Sequence, residues 1–450
     1  MAFSFCLNLS LTDYDNPSAT HILDAEVSNN LLIVSGMIGG IEFYDISNPS
    51  SLNHLSSHSL SSGGGGGGIK PNCVKVYENY AYVTSNQGVA IINISNPSNP
   101  ENIGYIQGTS NLILENLDIY NGLLAIAAHE DGVLIYDLSN AMNPNYLHTI
   151  QTANSWTVKL DQDFVYVGDE QTLKMYYIHD NFSYYNSIEM TNSIKDIAID
   201  DALLYVAVGS DGVVVYNTAT NFTPSFIDSY NTSAMANRLA VLSGWPSKVA
   251  VSDWDDVEIL ELDIQQNLLK LVGYKNTTRR TMAVATKDNY IYSAEWASVQ
   301  VFEFGEISGP DIDLSAYELN YPYVNSGDSY VLTVDVINNG NQILEILDSY
   351  TTNSEFEVLN PLSSLLPGEI QSVEVLYSAD AFNASGSYRI FSNDDDEGQI
   401  ICETNGNING ANIGQEAPNF NLNIVANGNG TFRLSDYIGS VVVLAFFAPN

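Results

Sequence analysis

Residues 73–107, CVKVYENYAYVTSNQGVAIINISNPSNPENIGYIQ, read as four short strands in series. Val74 and Val76 alternate with polar residues up to a turn at Glu78-Asn79. Tyr80-Ala81-Tyr82-Val83 follows, then a turn ending in Gly88, then Val89-Ala90-Ile91-Ile92. The run Ser95-Asn96-Pro97-Ser98-Asn99-Pro100 stops the third strand, because proline cannot continue a central strand. Ile103-Gly104-Tyr105-Ile106 closes the unit.

The unit recurs. Its second strand is found again around Ile33, Ala125, Tyr166, Tyr205, Ala250 and Tyr292, in addition to Tyr82. Seven copies of a four-stranded motif at roughly 40–45 residues point to the blades of a propeller. The longer first step is explained by residues 61–68, whose six glycines are expected to form a flexible surface loop. The third strand recurs in step over residues 41–46, 89–94, 133–138, 213–216 and 299–302. Asn48-Pro49, Asn96-Pro97 and Asn143-Pro144 mark the way to the outer strand. Asp131-Gly132 and Asp211-Gly212 belong at hairpin tips, where positive φ is wanted. The seventh repeat lacks a fourth strand, and residues 5–11 form an orphan apolar stretch. That stretch is expected to supply the missing strand and close the ring, removing exposed edges.

The pattern of apolar-apolar-Tyr-Val followed by Gly-Val-x-Ile-x-Asp-Ile-Ser-Asn-Pro resembles the LVIVD-repeat family of bacterial extracytoplasmic β-propellers. The likeness is best over residues 31–49, 80–97 and 123–140 and covers about the first 305 residues. It implies a propeller over residues 1–308 and an extracytoplasmic location: periplasmic, cell-surface or secreted.

Gly309-Pro310-Asp311 reads as a linker, after which the period changes. Strands at residues 330–336, 372–377 and 388–394 argue for an immunoglobulin-like sandwich over 309–402. Its Asn-Asn-Gly, Leu-Pro-Gly-Glu and Ser-Asn-Asp-Asp landmarks resemble the ASH-type, choice-of-anchor domains, which act as spacers or docking modules. Residues 403–412 read as a Gly- and Asn-rich linker. Residues 413–450 resemble the opening of redoxin-type thioredoxin folds, the AhpC/TSA and TlpA-like group. The resemblance rests on Gly414-x-x-Ala417-Pro418-x-Phe420-x-Leu422 and on Leu434-Ser435-Asp436-Tyr437 with the strand of residues 441–448. In that group the reactive Cys follows this strand, whereas here no Cys lies between Cys402 and Asn450. The fold class expected is therefore all-β: a seven-bladed propeller, an Ig-like sandwich and an incomplete thioredoxin-like segment.

The chain has 450 residues, with 14 basic against 53 acidic, a formal charge of −39. Such a field repels phosphate backbones and anionic membrane surfaces. No apolar run is long enough to span a membrane. The three Cys, Cys6, Cys73 and Cys402, exclude a disulfide scaffold and lack metal-site spacing. Residues 1–11 lack a basic n-region; they read as ordinary strand or as the remnant of a clipped signal.

Candidate sites are few. The tips between second and third strands should share one rim, and they carry Asp131, Asp169, Asp211, Asp253 and Asp255. Such a rim would suit Ca²⁺ or a cationic partner; alternatively, Asp serves there only as a good turn residue. The six His occupy no common repeat position, and Val74, Leu117, Val158 and Ile197 point to an apolar channel without a catalytic metal. The acidic run 394–397 reads as an exposed turn. Trp245, Trp254 and Trp296 lie near loops and offer a stacking surface for a sugar or peptide, or packing between blades. No nucleophile triad, phosphate loop or dinucleotide fingerprint is present. Two functions remain open: a binding scaffold using the rim for a protein or carbohydrate ligand, or the front part of a thiol-disulfide oxidoreductase or peroxidase. Enzymatic activity would require the redoxin domain to continue, and no cofactor other than Ca²⁺ is suggested.

Overall fold

The computed structural model describes residues 7–60, 69–219, 223–306, 308–379, 384–394, 398–407, 421–423 and 431–433. The glycine run at 61–68 and most of the redoxin-like segment lie outside them. The chain divides into two compact units, Met1–Ser308 and Gly309–Asn450.

In the first unit, five antiparallel four-stranded sheets follow one another. The unit quoted above becomes Pro71–Tyr77, Tyr80–Ser85, Gly88–Asn93 and Glu101–Tyr105. The second and third strands are apolar on both faces because both faces are covered; Ala81, Tyr82 and Val83 are fully buried. Val74, Ala81 and Val83 pack against Ile33, Ile41 and Phe43 of the preceding sheet. Tyr82, Val89 and Ile91 pack against Leu117, Leu124 and Ile126 of the next. Ile22, Leu32 and Tyr44 of the first sheet meet Tyr292, Val299 and Val301 of the last, so the sheets form a closed ring.

The Asp-Ile-Ser-Asn-Pro pattern has a mechanical reading. Asp45, Asn93 and Asp137 each accept the N–H two residues on, from Ser47, Ser95 and Ser139, forming Asx turns that end the third strand. The residue between them donates its N–H back to the start of the second strand: Ile46 to Asn30, Ile94 to Asn79 and Leu138 to Gly122. The same bond, 2.8 or 2.9 Å long, joins Ile178 to Asp163, Thr218 to Ala202, Leu262 to Ser247 and Phe304 to Asn289. The second-strand tyrosines reach across to the next sheet. The Tyr82 hydroxyl donates to Ala141 O at 2.7 Å and the Tyr292 hydroxyl to Pro49 O at 2.8 Å. At the tips, Gly132 and Gly212 have φ of 87° and 78°, and a Cβ there would strike Ile150 O and Tyr230 O.

The last sheet of this unit has six strands, in the order Leu7–Asp15, Ser298–Glu306, Tyr290–Glu295, Leu268–Lys287, Lys248–Asp263 and Arg238–Val241. Lys248–Asp263 folds back on itself near Trp254-Asp255, which brings Leu262 N–H to Ser247 O. Leu268–Lys287 pairs with it through residues 268–276 and with Tyr290–Glu295 through 281–287. The orphan stretch does supply an outer strand: Leu7–Asp15 lies antiparallel to Ser298–Glu306, with Leu9 fully buried. It is longer than the sequence suggested, because Asp13, Tyr14 and Asp15 continue the pairing beyond a bulge at Thr12, and the polar side chains of Thr12, Asp13 and Asp15 bond to neighbours.

The second unit contains two four-stranded sheets sharing one core. One is built on Ser329–Asn338 and Ile370–Ser378, the other on Ala384–Ser392 and Gln399–Gly406. Val334, Val336, Val373 and Val375 face Tyr388, Ile390, Ile400 and Cys402. Glu318–Asn320 adds a parallel pairing onto residues 403–405. The last strand therefore runs past the boundary expected at 402, and residues 403–406 are sheet rather than linker. Their Asn and Gly suggested a loop, but Thr404 is buried and its neighbours are hydrogen-bonded on both sides. Asp394, expected in an exposed turn, is buried and accepts the Ile312 N–H at 2.8 Å; residues 395–397 lie outside the described ones. Within the residues at 421–433, Asn421–Asn423 pairs with Thr431–Arg433.

Candidate functional site: the channel and its tryptophan-lined mouth

The innermost strands of the first unit surround a cavity of about 260 Å³. It is charged, not apolar as expected. Glu26, Lys75, Asp118, Lys159, Asp196 and Arg238 line it. Val74, Leu117 and Val158 are buried in the packing between sheets, and Leu117 and Val158 touch the channel as well; their chain neighbours Lys75, Asp118 and Lys159 bring the charge to it. Lys75 meets Glu26 at 2.5 Å and Lys159 meets Asp118 at 3.1 Å. Asp24, Asp118 and Asp196 each accept a backbone N–H from the next inner strand, from Val74, Leu160 and Leu239 at 2.8–2.9 Å. These carboxylates stitch the ring together. Burial pushes the Asp196 carboxyl up, against the pull of Arg238 and of the Leu239 N–H.

One mouth of this channel is aromatic. A second cavity of about 200 Å³ is lined by Trp156, Lys195, Met235, Arg238, Trp254 and Met282. Arg238 lines both cavities, and its Nε is buried without a partner. The Lys195 ammonium stands 4.6 Å from the centre of the Trp156 ring. The Arg280 guanidinium lies 5.0 Å from Trp254 and 5.7 Å from Trp296, joining the two rings. His21 packs on Trp296 at 4.4 Å and His129 on Trp156 at 5.4 Å. Burial lowers the Lys195 pKa.

Three of these residues hold a backbone conformation that suits glycine. His21, His129 and Trp254 have φ of 55°, 50° and 57°. His129 occupies the tip position taken two repeats later by Gly209, at φ 59°. A bulky side chain there costs roughly 1–3 kcal/mol, and such strain gathers at functional sites.

Of the three tryptophans singled out from the sequence, Trp254 and Trp296 meet through Arg280, while Trp245 packs elsewhere, against Phe304 and Lys248. All three are half-buried rather than exposed. Trp156 was missed; it opens an inner strand, and no local pattern ties it to a tip 98 residues later in Trp254.

The five aspartates of the expected rim do not converge. Asp131 and Asp211 are exposed at their tips. Asp169 is buried and fully engaged: Lys174 lies at 2.5 Å, and the Ala153 and Asn154 N–H groups donate to it at 3.1 and 2.6 Å. Burial works against its charge, but Lys174 and the two N–H groups outweigh that and hold the carboxyl low. Asp169→Ala should destabilise the protein by about 3 kcal/mol in urea unfolding, since it orphans two N–H groups and an ammonium. Asp255 is exposed, and Asp253 joins Asp256 and Glu258 instead. Among the six His, His21 and His129 reach the mouth but not each other's partners. Cys73 and Cys402 are buried free thiols, and burial pushes Cys402 up to about 12, so neither is a ready nucleophile. No helix among the described residues is long and apolar enough to cross a membrane.

A search of curated proteins found no match. The profile of the LVIVD repeat matches residues 25–58 and 70–106. Among solved structures, the chain is similar to U3-55K, with TM-score 0.52 and 10% identity over 66% of this chain and 98% of that one. It is also similar to the WD40 β-propeller domain of Doa1, with TM-score 0.50 and 11% identity over 66% and 97%. At such identity the likeness concerns the fold. Taken with the closed ring of sheets, it makes the first unit a β-propeller that carries LVIVD repeats.

Proposed function

We propose that this chain is an extracytoplasmic binding scaffold, a seven-bladed propeller followed by an Ig-like spacer, which takes a protein ligand at the tryptophan-lined mouth. The seven-fold recurrence of the bond closing each third strand supports the blade count, with the six-stranded sheet containing the last two blades. The shared core of two sheets supports the spacer. The observation that carries the binding role is the set of Trp156, Trp254, Lys195 and Arg238 around an open cavity, with Arg280 joining Trp254 to Trp296 beside it. In a chain with so few cations, that concentration favours a ligand segment offering carboxylates and apolar side chains.

The test is affinity capture from the source's extracytoplasmic fraction, comparing the wild type with three variants. Trp254→Ala and Arg280→Glu should lose at least about tenfold of a captured partner, as expected for a hot spot. Tyr184→Ala, on an exposed outer strand, should retain it. Equal capture by all four proteins would reject the mouth as the binding site.

A further inference from the structure

We propose that the folded-back tip of Lys248–Asp263 holds a hard divalent cation, Ca²⁺ in the first instance, between Asp253, Asp256 and Glu258. One oxygen from each carboxylate lies within 4.8 Å of the others. That is the span across a Ca²⁺ sphere whose oxygen ligands sit at about 2.4 Å. The three residues are 0, 1 and 2% exposed. Among the described residues none of them makes an ion pair, so three carboxylates share a buried site without a visible counter-charge.

The hydrogen bonds around the cluster do not close it. Asp253 is well served, by the Thr232 hydroxyl at 2.7 Å, the Ser233 hydroxyl at 2.9 Å and the Ala234 N–H at 2.6 Å. The Ser233 hydroxyl also lies 2.7 Å from Asp256 Oδ2. A hydroxyl carries one proton, so it can serve only one of the two carboxylates. Glu258 Oε1 receives the Ser233 N–H at 3.1 Å. Asp256 Oδ1 and Glu258 Oε2 are buried with no partner at all. Two buried acceptors without donors, beside an oxygen pair short of a proton, are a donor set that a cation would satisfy. The donors are oxygens only, which favours Ca²⁺ over zinc. Ser233 is exposed, which gives an ion a short way in.

The site sits beneath the channel mouth. Trp254 lies between Asp253 and Asp256 and lines the cavity, so an ion here would fix the tip that carries it.

The test is titration of EDTA-stripped full-length protein with CaCl₂ by calorimetry, with MgCl₂ and ZnCl₂ in parallel. Melting curves and intrinsic tryptophan fluorescence, to which Trp254 contributes, follow the same samples. The wild type should bind one Ca²⁺ saturably, with a rise in Tm and a fluorescence change. Asp256→Asn and Glu258→Gln should each weaken binding by at least about tenfold. Both variants should fold, with a raised Tm in EDTA, because each removes buried like-charge repulsion. Asp131→Asn, at an exposed tip, should bind as the wild type does. No saturable heat and no Tm change up to about 10 mM Ca²⁺, beyond the weakest extracellular sites, would overturn the inference. So would unchanged Ca²⁺ binding in Asp256→Asn. A cluster held by protons alone would raise Tm in Asp256→Asn while neither protein responded to Ca²⁺, and that result also overturns it.

Discussion

Deleting residues 1–15 should abolish cooperative folding of the propeller or leave it aggregated, read by size-exclusion chromatography and thermal melting. The strand Leu7–Asp15 closes the ring with more than its ladder to Ser298–Glu306. Leu9 fills a core with Ile259, Ile291, Phe302 and Phe304. Asn8 accepts the Tyr274 N–H at 2.7 Å. Asp13 accepts the Leu52 N–H at 2.7 Å, and Asp15 accepts the Tyr44 hydroxyl at 2.8 Å. Leu52 and Tyr44 belong to the first sheet, so this one strand bonds the two ends of the ring together. Removing it bares the edge of Ser298–Glu306, an invitation to pair with another chain. The loss should be comparable to the whole stability of a domain, on the order of 5–15 kcal/mol. A milder probe is Leu9→Ala, which should cost about 3 kcal/mol through the cavity it leaves. A monomeric deletion protein with an unchanged Tm would show that the ring closes without this strand.

In EDTA, stability should fall as pH rises from about 5 to about 9, by a total on the order of 5 kcal/mol. The cause is Asp256 and Glu258. Burial first, then a neighbouring carboxylate, Glu258 for Asp256 and Asp253 for Glu258, pushes Asp256 up to about 9 and Glu258 to about 7. Asp253, Asp255 and the hydroxyl of Tyr230 complete the surroundings. In the unfolded chain both carboxyls titrate near pH 4. Between that value and the folded ones the native state holds more protons than the unfolded state, so each rise in pH favours unfolding. Glu42 and Asp169 act with the opposite sign. Their carboxyls are held low in the fold, so they add stability above about pH 4 and lose it as pH falls through their folded values. Maximum stability in EDTA should therefore lie on the acid side of neutrality. Asp256→Asn should flatten the alkaline fall, and saturating Ca²⁺ should do the same to the wild type. Urea unfolding at pH 5, 7 and 9 measures this; a flat profile in EDTA would show that the cluster is solvated in solution.

The repeat is legible in the amino-acid sequence alone. Strand period, turn residues and the Asp-Ile-Ser-Asn-Pro punctuation are local, and local chemistry decides them: an Asx turn needs only residues two apart. The closing strand was also legible, since an orphan apolar run and a repeat short of a strand complement each other. The charged channel was less so. Strand alternation puts Asp118 and Lys159 on the face opposite Leu117 and Val158, but which face meets its neighbour sheet depends on the ring. The end of the sandwich was misjudged at 402 because Asn405 and Gly406 suggest a loop, whereas pairing on both sides keeps them in the sheet.

The two sites arise from packing between separate segments of the chain. Trp156 comes from a different sheet than Trp254 and Trp296, which sit at two turns of the six-stranded sheet, and their approach depends on how the ring packs. The carboxylate cluster depends on a single hairpin folding back and on Ser233 arriving from the preceding connection. Asp253 was visible as one acidic tip among several. What distinguishes it is its burial beside Asp256 and Glu258, each with an oxygen that has no donor, and these are properties of packing rather than of spacing along the chain.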